Sequence, residues 1–248
     1  MNDVARFIVF GATGGVGEAL SRMLVESGAQ VLLAGRNLER LKDLSQQLGM
    51  PNHPMDAADS DSIESVFQQA VSAFGRIDGV ANCIGSVLLK PAHLTTDEEW
   101  QQTLTTNLFS AFAVVRGAAR AMRQTGGSVV LVSTAATRLG LANHEAIAAA
   151  KAGIEGLTRS AAATYAGAGI RVNAVAPGLV KSNMTRRLWE SPAAAETSVQ
   201  IHALGRLGEP QDVARMIAFL LDQQNNWITG QVIGVDGGLG SVLARRRG

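Results

Sequence analysis

The feature that most limits the fold is an alternation running from end to end. Short apolar runs, each of a strand's length, are separated by longer stretches with helical spacing. RFIVFG (6–11), QVLLAG (30–35), IDGVANCIG (77–85), GSVVLVST (127–134), IRVNAVAPG (170–178) and GQVIGVDGG (230–238) read as strands. Residues 16–28, 38–49, 61–75, 97–123, 144–167 and 210–222 read as helices. Gly28 and Gly49 stop two of them, Pro210 opens the last, and Asp61 or Ser60 is placed to cap the third. Strands that are apolar throughout need cover on both faces, and strands joined through helices run parallel. The expected class is α/β: a doubly wound parallel sheet, one domain with helices on both faces. A length of 248 residues suits a single domain of this kind, and no break in composition marks a second. The least regular part, about 181–207, lies between a strand and a helix and reads as a substrate lid.

The loop after the first strand narrows the function. GATGGVG (11–17) places Gly11, Gly15 and Gly17 in G-x-x-x-G-x-G spacing between a strand and a helix. Glycines at such a junction let the backbone turn tightly and approach a diphosphate on the helix N-terminus. Gly11, Thr13, Gly14, Gly15, Val16 and Gly17 are therefore assigned to a dinucleotide. The second strand ends at Gly35, followed by Arg36. An acidic residue at that strand end would bind a ribose 2′-hydroxyl, whereas an arginine pairs with a 2′-phosphate, so NADP(H) is favoured over NAD(H). A plain surface arginine is the other reading of Arg36. Asp56 also has two readings: it holds the adenine amino group, or it is a turn residue leading the next helix.

The charge balance removes other classes. A formal net charge of +1 gives no bulk field for nucleic acid or an anionic membrane. Arg245, Arg246 and Arg247 form a local basic end, read as a solvated tail. No apolar stretch approaches the roughly 20 residues of a membrane span, and the first apolar run passes straight into glycines, unlike a signal peptide. The single cysteine, Cys83, forbids an intrachain disulfide and suits a reducing cytoplasm. No metal site is read.

With these motifs the chain resembles the short-chain dehydrogenase/reductase family, in the single-domain branch that includes the 3-oxoacyl-carrier-protein reductases. The resemblance runs from about residue 5 to 240. It rests on GATGGVG, on NCIG (82–85), on Asn107 in TTNLFSAF, and on VAPGLVKSNMT (175–185). GRLGEPQDVARMIAFLL and ITGQVIGVDGG match the family's C-terminal helix and strand, while Phe10 replaces its usual Thr before the glycine loop. The resemblance implies a Rossmann-type fold and hydride transfer between a nicotinamide and a small carbonyl or alcohol substrate. It implies that Asn82 and Gly85 shape the adenine-side wall, that Pro177 and Gly178 turn beside the nicotinamide, and that Thr185 touches its amide. It also implies a homo-oligomer, a tetramer or dimer, built through the helix carrying Lys151 and the last strand.

The family divides its chemistry among four side chains. A tyrosine moves the proton, a lysine one turn later holds the ribose, a serine polarises the carbonyl, and an asparagine holds a water. Lys151 matches the lysine and Asn107 the asparagine; for Asn107, satisfying backbone groups at a helix kink is a second role. Thr134, thirteen residues before position 147, matches the serine, while neighbouring Ser133 points to the opposite face by strand alternation. At the tyrosine's position stands Ile147. The chain's one tyrosine, Tyr165, lies fourteen residues beyond Lys151 and reads as a packing residue. His144, Ile147 and Lys151 are spaced i, i+3 and i+7 along one helical stripe, and Glu145 points elsewhere. His144 is thus a candidate acid, with an ordinary pKa of about 6.5, or else it simply precedes the helix. Losing a positioned acid costs about 10²–10⁴ in rate and leaves cofactor binding intact. Two functions stay open: an oxidoreductase with an atypical site, and an NADP(H)-binding regulator, sensor or scaffold.

Overall fold

Seven parallel strands form one sheet in the computed structural model, which describes residues 4–243; Arg245–Arg247 lie outside the described residues. The strands are β1 (Arg6–Phe10), β2 (Gln30–Gly35), β3 (Asn52–Pro54), β4 (Gly79–Asn82), β5 (Gly127–Val132), β6 (Ile170–Pro177) and β7 (Val232–Val235). Their spatial order is β3-β2-β1-β4-β5-β6-β7. β1 pairs with β2 on one side (Phe7 opposite Val31) and with β4 on the other (Phe7 opposite Gly79). β3 is the strand that the apolar pattern does not announce. Its three residues, NHP, are nowhere fully buried and pair only with β2 at the sheet edge. An edge strand needs no apolar run, so periodicity misses it.

Alternation along the strands builds two cores. Ile8 and Phe10 point to one face, where they join Leu32, Val80, Val129 and Val172. Phe7 and Val9 point to the other, with Leu33, Ala81, Val130 and Val175. Helices α1 (Gly15–Glu26), α2 (Leu38–Leu48) and α9 (Pro210–Leu221) cover the second face through Leu20, Leu41 and Ile217. On the first face lie α3 (Ser60–Phe74), α5 (Ser110–Ala121) and α6 (Glu145–Tyr165), through Phe67, Val114 and Ile154. Tyr165 ends α6 and is packed against this core.

The structure corrects one local expectation and sharpens two others. The cap of α3 is Asp59, whose carboxylate accepts the Asp61 N–H, rather than Ser60 or Asp61. The stretch expected as one helix, 97–123, is helical without a break to Ala121, but α4 (Asp97–Leu104) passes through a π-helical turn, Thr105–Phe109, into α5. TTNLF holds only two apolar residues, too few for spacing to register the one-residue shift of a π turn. The segment 181–207 is partly regular, with α7 (Arg186–Trp189) and α8 (Pro192–Ile201).

The C-terminal end of α9 is held by a side chain from the sheet. Arg171 on β6 donates to the carbonyls of Leu220 (2.9 Å), Asp222 (3.2 Å) and Ile228 (3.2 Å). One buried guanidinium thereby satisfies carbonyls that the helix cannot.

Candidate active site

The chain reverses its direction of strand addition between β3 and β4, which opens a crevice at the carboxyl ends of β1 and β4. Gly11 leaves β1 at φ +72°, and a Cβ there would come within 2.8 Å of the Cys83 carbonyl carbon. A Cβ on Gly17 would collide with the Gly11 carbonyl oxygen. These two glycines are therefore demanded by the loop's own packing. Gly14 caps α1 with no side-chain bond, which leaves the first N–H groups of the helix, at Gly15, Val16 and Gly17, open to an anion.

The neighbouring positions extend this cradle. Thr13 lies against Gly35, its Oγ1 3.4 Å from where a Cβ would stand, and Arg36 follows, exposed. Asp56 is exposed; its Oδ1 accepts the Ala58 N–H at 2.9 Å, closing a turn ahead of α3. Asn82 ends β4, buried, and accepts the Ile84 N–H at 3.2 Å.

Lys151 and Asn107 converge on Gly85. A Cβ on that glycine would lie 3.2 Å from Asn107 Oδ1, 3.5 Å from Lys151 Nζ and 3.9 Å from Met184 Cε. Lys151 is buried and donates to the Val132 carbonyl at 2.8 Å. Burial brings its pKa down to about 8, with Cys83 pulling weakly the other way. Burial likewise pushes the half-buried Cys83 thiol up to about 12, against the pull of Lys151. The π turn sets Asn107 with its amide fully engaged: Oδ1 accepts from Ser86 N at 3.2 Å, and Nδ2 donates to Ser86 Oγ and the Thr103 carbonyl.

Ile147 is buried one turn before Lys151. Thr134 follows β5, half-buried, its Oγ1 3.5 Å from the Pro177 carbonyl and so beside the turn at Gly178. Ser133 points the other way and donates to Glu155 Oε1 at 2.9 Å. His144 occupies the cap position before α6 rather than its first turn, with φ −107° and ψ 10°. Its Nδ1 donates to the Ala142 carbonyl at 2.8 Å, which leaves Nε2 as the second ring nitrogen. Glu145 turns away toward the Ala92 N–H.

Of the lid residues, Thr185 turns its hydroxyl into its own loop, donating to the Val180 carbonyl and accepting the Ser182 N–H at 3.2 Å. The residue packed on the glycine loop is Ser182, whose Cβ lies 3.2 Å from where a Gly15 Cβ would be. His202, buried, ties the lid to the end of β6. Its Nε2 accepts the Leu179 N–H at 3.1 Å and its Nδ1 donates to the Ser198 carbonyl, close against Gly178. Sequence reasoning singled out none of Ser182, Met184 and His202. Ser182 lies inside the VAPGLVKSNMT stretch, but only the fold of that loop tells which of its residues faces the crevice.

Residues 11–240 match a family model described as enoyl-(acyl carrier protein) reductase. The chain is 36% identical over 240 residues to the 3-oxoacyl-[acyl-carrier-protein] reductase FabG of Thermotoga maritima, covering 94% of this chain and 96% of that one. Its fold is similar to that of a short-chain type dehydrogenase/reductase from Mycobacterium ulcerans. The TM-score is 0.92 at 31% identity, over 98% of this chain and 91% of the other. It is also similar to an actinorhodin polyketide ketoreductase solved with NADPH, with a TM-score of 0.91 at 26% identity, over 98% of this chain and 99% of that one.

Proposed function

This chain belongs to the short-chain dehydrogenase/reductase family, and we propose that it is an oxidoreductase whose bound NADP(H) exchanges a hydride with a carbonyl or alcohol substrate in a site without a tyrosine. The observation that carries the reading is the buried Lys151 beside Gly85 and Asn107, with buried Ile147 one turn away. The residues present fit such a cofactor, because the uncapped N-terminus of α1 offers N–H groups to a diphosphate. In this reading Thr13, Gly14, Gly15 and Val16 hold the diphosphate, and Arg36 pairs with the 2′-phosphate. Asp56 and Asn82 line the adenine side, whereas Gly85, expected there from the resemblance, lies beside Lys151 and Asn107 and so belongs to the ribose end. Lys151 takes the ribose, and Pro177, Gly178 and Thr185 flank the nicotinamide with Ser182.

The proton chemistry falls to the remaining side chains. Thr134 donates its hydroxyl to the substrate oxygen and polarises it. The proton comes from His144 Nε2, or from a water on the Lys151 and Asn107 side. The bond from Nδ1 to Ala142 supports the first route by orienting the ring; because Nδ1 holds the proton of the neutral ring, Nε2 gives a proton only from the imidazolium and accepts one otherwise. Asn107 acts by fixing Ser86 and the π turn beside Lys151. The relative's name points to 3-oxoacyl thioesters as the first substrates to try. A cytoplasmic homo-oligomer, a dimer or tetramer, belongs to the same reading. Self-association, though not the compartment, is supported by the exposed Phe109 and Phe112 beside an apolar groove with Leu108 and Leu157. Among the described residues no helix is long and apolar enough to cross a membrane.

The test is NADPH consumption with a panel of ketones and 3-oxoacyl thioesters. Turnover is expected, and Thr134→Val and His144→Ala should each lower it by about 10-fold or more. Full activity in both variants would remove these two assignments. The second reading, an NADP(H)-binding regulator, is favoured by one observation: Ile147 has no proton to give. It prevails if NADPH binds with a Kd of about micromolar or tighter while no carbonyl is consumed.

A further inference from the structure

We propose that Glu155 is a positioning residue, whose carboxylate clamps the turn carrying Thr134 onto the helix carrying Lys151. Glu155 lies four residues beyond Lys151 on α6, on the same side of the helix. Its Oε1 accepts from Ser133 Oγ at 2.9 Å and from Thr137 Oγ1 at 2.6 Å. These two hydroxyls bracket Thr134. Each has one proton to give: that of Ser133 is shared between Glu155 at 2.9 Å and the more distant Lys151 carbonyl at 3.4 Å, both on α6, while that of Thr137 is shared between Glu155 and the Thr134 carbonyl at 2.8 Å.

Thr134 does not hold itself. Its Oγ1 lies 3.4 Å from Ala136 N and 3.5 Å from the Pro177 carbonyl, at the weak limit of hydrogen bonding. The bonds that tie this turn to α6 most closely are those its neighbours make to a carboxylate, the stronger class of acceptor. Alternation does the rest: with Ser133 drawn toward α6, Thr134 is sent to the opposite side, beside Pro177. Glu155 thereby couples the register of the polarising hydroxyl to that of the lysine, although it touches neither substrate nor cofactor. The catalytic half of this claim rests on the role given to Thr134 above.

The test compares Glu155→Ala and Glu155→Gln by kcat, by NADPH affinity and by amide hydrogen exchange of residues 135–138. In Glu155→Ala, kcat should fall about 10- to 100-fold, the order that misplacing a reacting group costs. NADPH Kd should stay within about 2-fold, and exchange of the Ala136, Thr137 and Arg138 amides should quicken. Glutamine keeps an acceptor oxygen at the same reach, so Glu155→Gln should recover to within about 5-fold of the parent. Unchanged kcat in Glu155→Ala, unchanged exchange, or equal losses of turnover and NADPH binding would each overturn the proposal. If Glu155→Ala does not fold, Thr137→Val removes one of the two bonds and should quicken exchange and lower kcat several-fold; no change in either overturns it. If the parent protein consumes no carbonyl, the reductase reading fails on its own, and the exchange measurement alone decides whether Glu155 holds the turn.

Discussion

Ile147 and Lys151 stand one helical turn apart on α6, and both are buried, at 3% and 6% exposure. An apolar side chain thus fills the position one turn before the lysine, where the resemblance to the family calls for a phenol. Restoring that group in Ile147→Tyr is expected to raise NADPH-dependent carbonyl reduction by about 10²–10⁴, the usual contribution of a positioned acid. The larger ring must enter a packed site, so stability should fall by about 1–3 kcal/mol. Steady-state kinetics and urea unfolding of the variant measure both. A folded variant with no gain in turnover would show that a missing acid is not what limits the site.

Arg36 is exposed after β2 and close to the turn of Thr13 and Gly35. If it reads the 2′-phosphate, Arg36→Ser should weaken NADPH binding by about 10-fold or more, as loss of a charge-assisted pair does. NADH carries no 2′-phosphate and should change by less than about 2-fold. Fluorescence titration with both nucleotides separates the cases. Equal weakening for the two would mean that Arg36 acts on the loop rather than on the phosphate.

Most of the architecture was legible because burial on both sheet faces writes itself as continuous apolar runs, as in β1 and β5. β3 was not, because NHP pairs at an edge and buries little. The π turn escaped because Thr105–Phe109 holds only two apolar residues, too few to show the shift that its hydrogen bonds make. Within the site, Lys151 was marked by the resemblance to the family, and Ser133 by alternation. The hydroxyl orientations in 181–185 could not, since they depend on how one irregular loop closes on itself. Glu155 looks from sequence like any polar position on a helix. Its meaning comes from Ser133 and Thr137, some twenty residues away in the chain.

Arg171 makes a prediction about stability rather than chemistry. It is nearly buried, and its guanidinium serves the carbonyls of Leu220, Asp222 and Ile228 together. Arg171→Leu would leave these buried acceptors short of donors at the end of α9, although Ser128 Oγ still reaches Leu220. The expected loss is about 2–4 kcal/mol, with unaltered NADPH affinity in the fraction that remains folded. Urea unfolding of the variant gives the number. A loss below about 0.5 kcal/mol would mean that water or rearrangement replaces the arginine.

Buried Lys151 and half-buried Cys83 predict opposite slopes of stability with pH. Lys151 titrates near 8 in the folded chain, against an ordinary value of 10.5. Below pH 8 both folded and unfolded chains hold that proton. Between 8 and 10.5 the unfolded chain holds more of it, so the unfolding free energy rises with pH. Cys83 behaves in reverse, with an ordinary value of 9.0 and a folded value of about 12. Above pH 9 the folded chain keeps a proton that the unfolded chain loses, and stability falls as pH rises. For the cofactor-free protein, Lys151 contributes a rise of about 1 kcal/mol from pH 8 to 9 and Cys83 removes roughly a third of it, and the two then nearly cancel up to about 10.5. Cys83→Ala should keep gaining stability through that upper range, and Lys151→Met should lose the first rise altogether. Urea unfolding of the three proteins at matched pH isolates the pair, because every other titration cancels in the differences. Superimposable curves for the parent and Cys83→Ala between pH 9 and 10.5 would mean that the thiol is not enclosed as the structure has it.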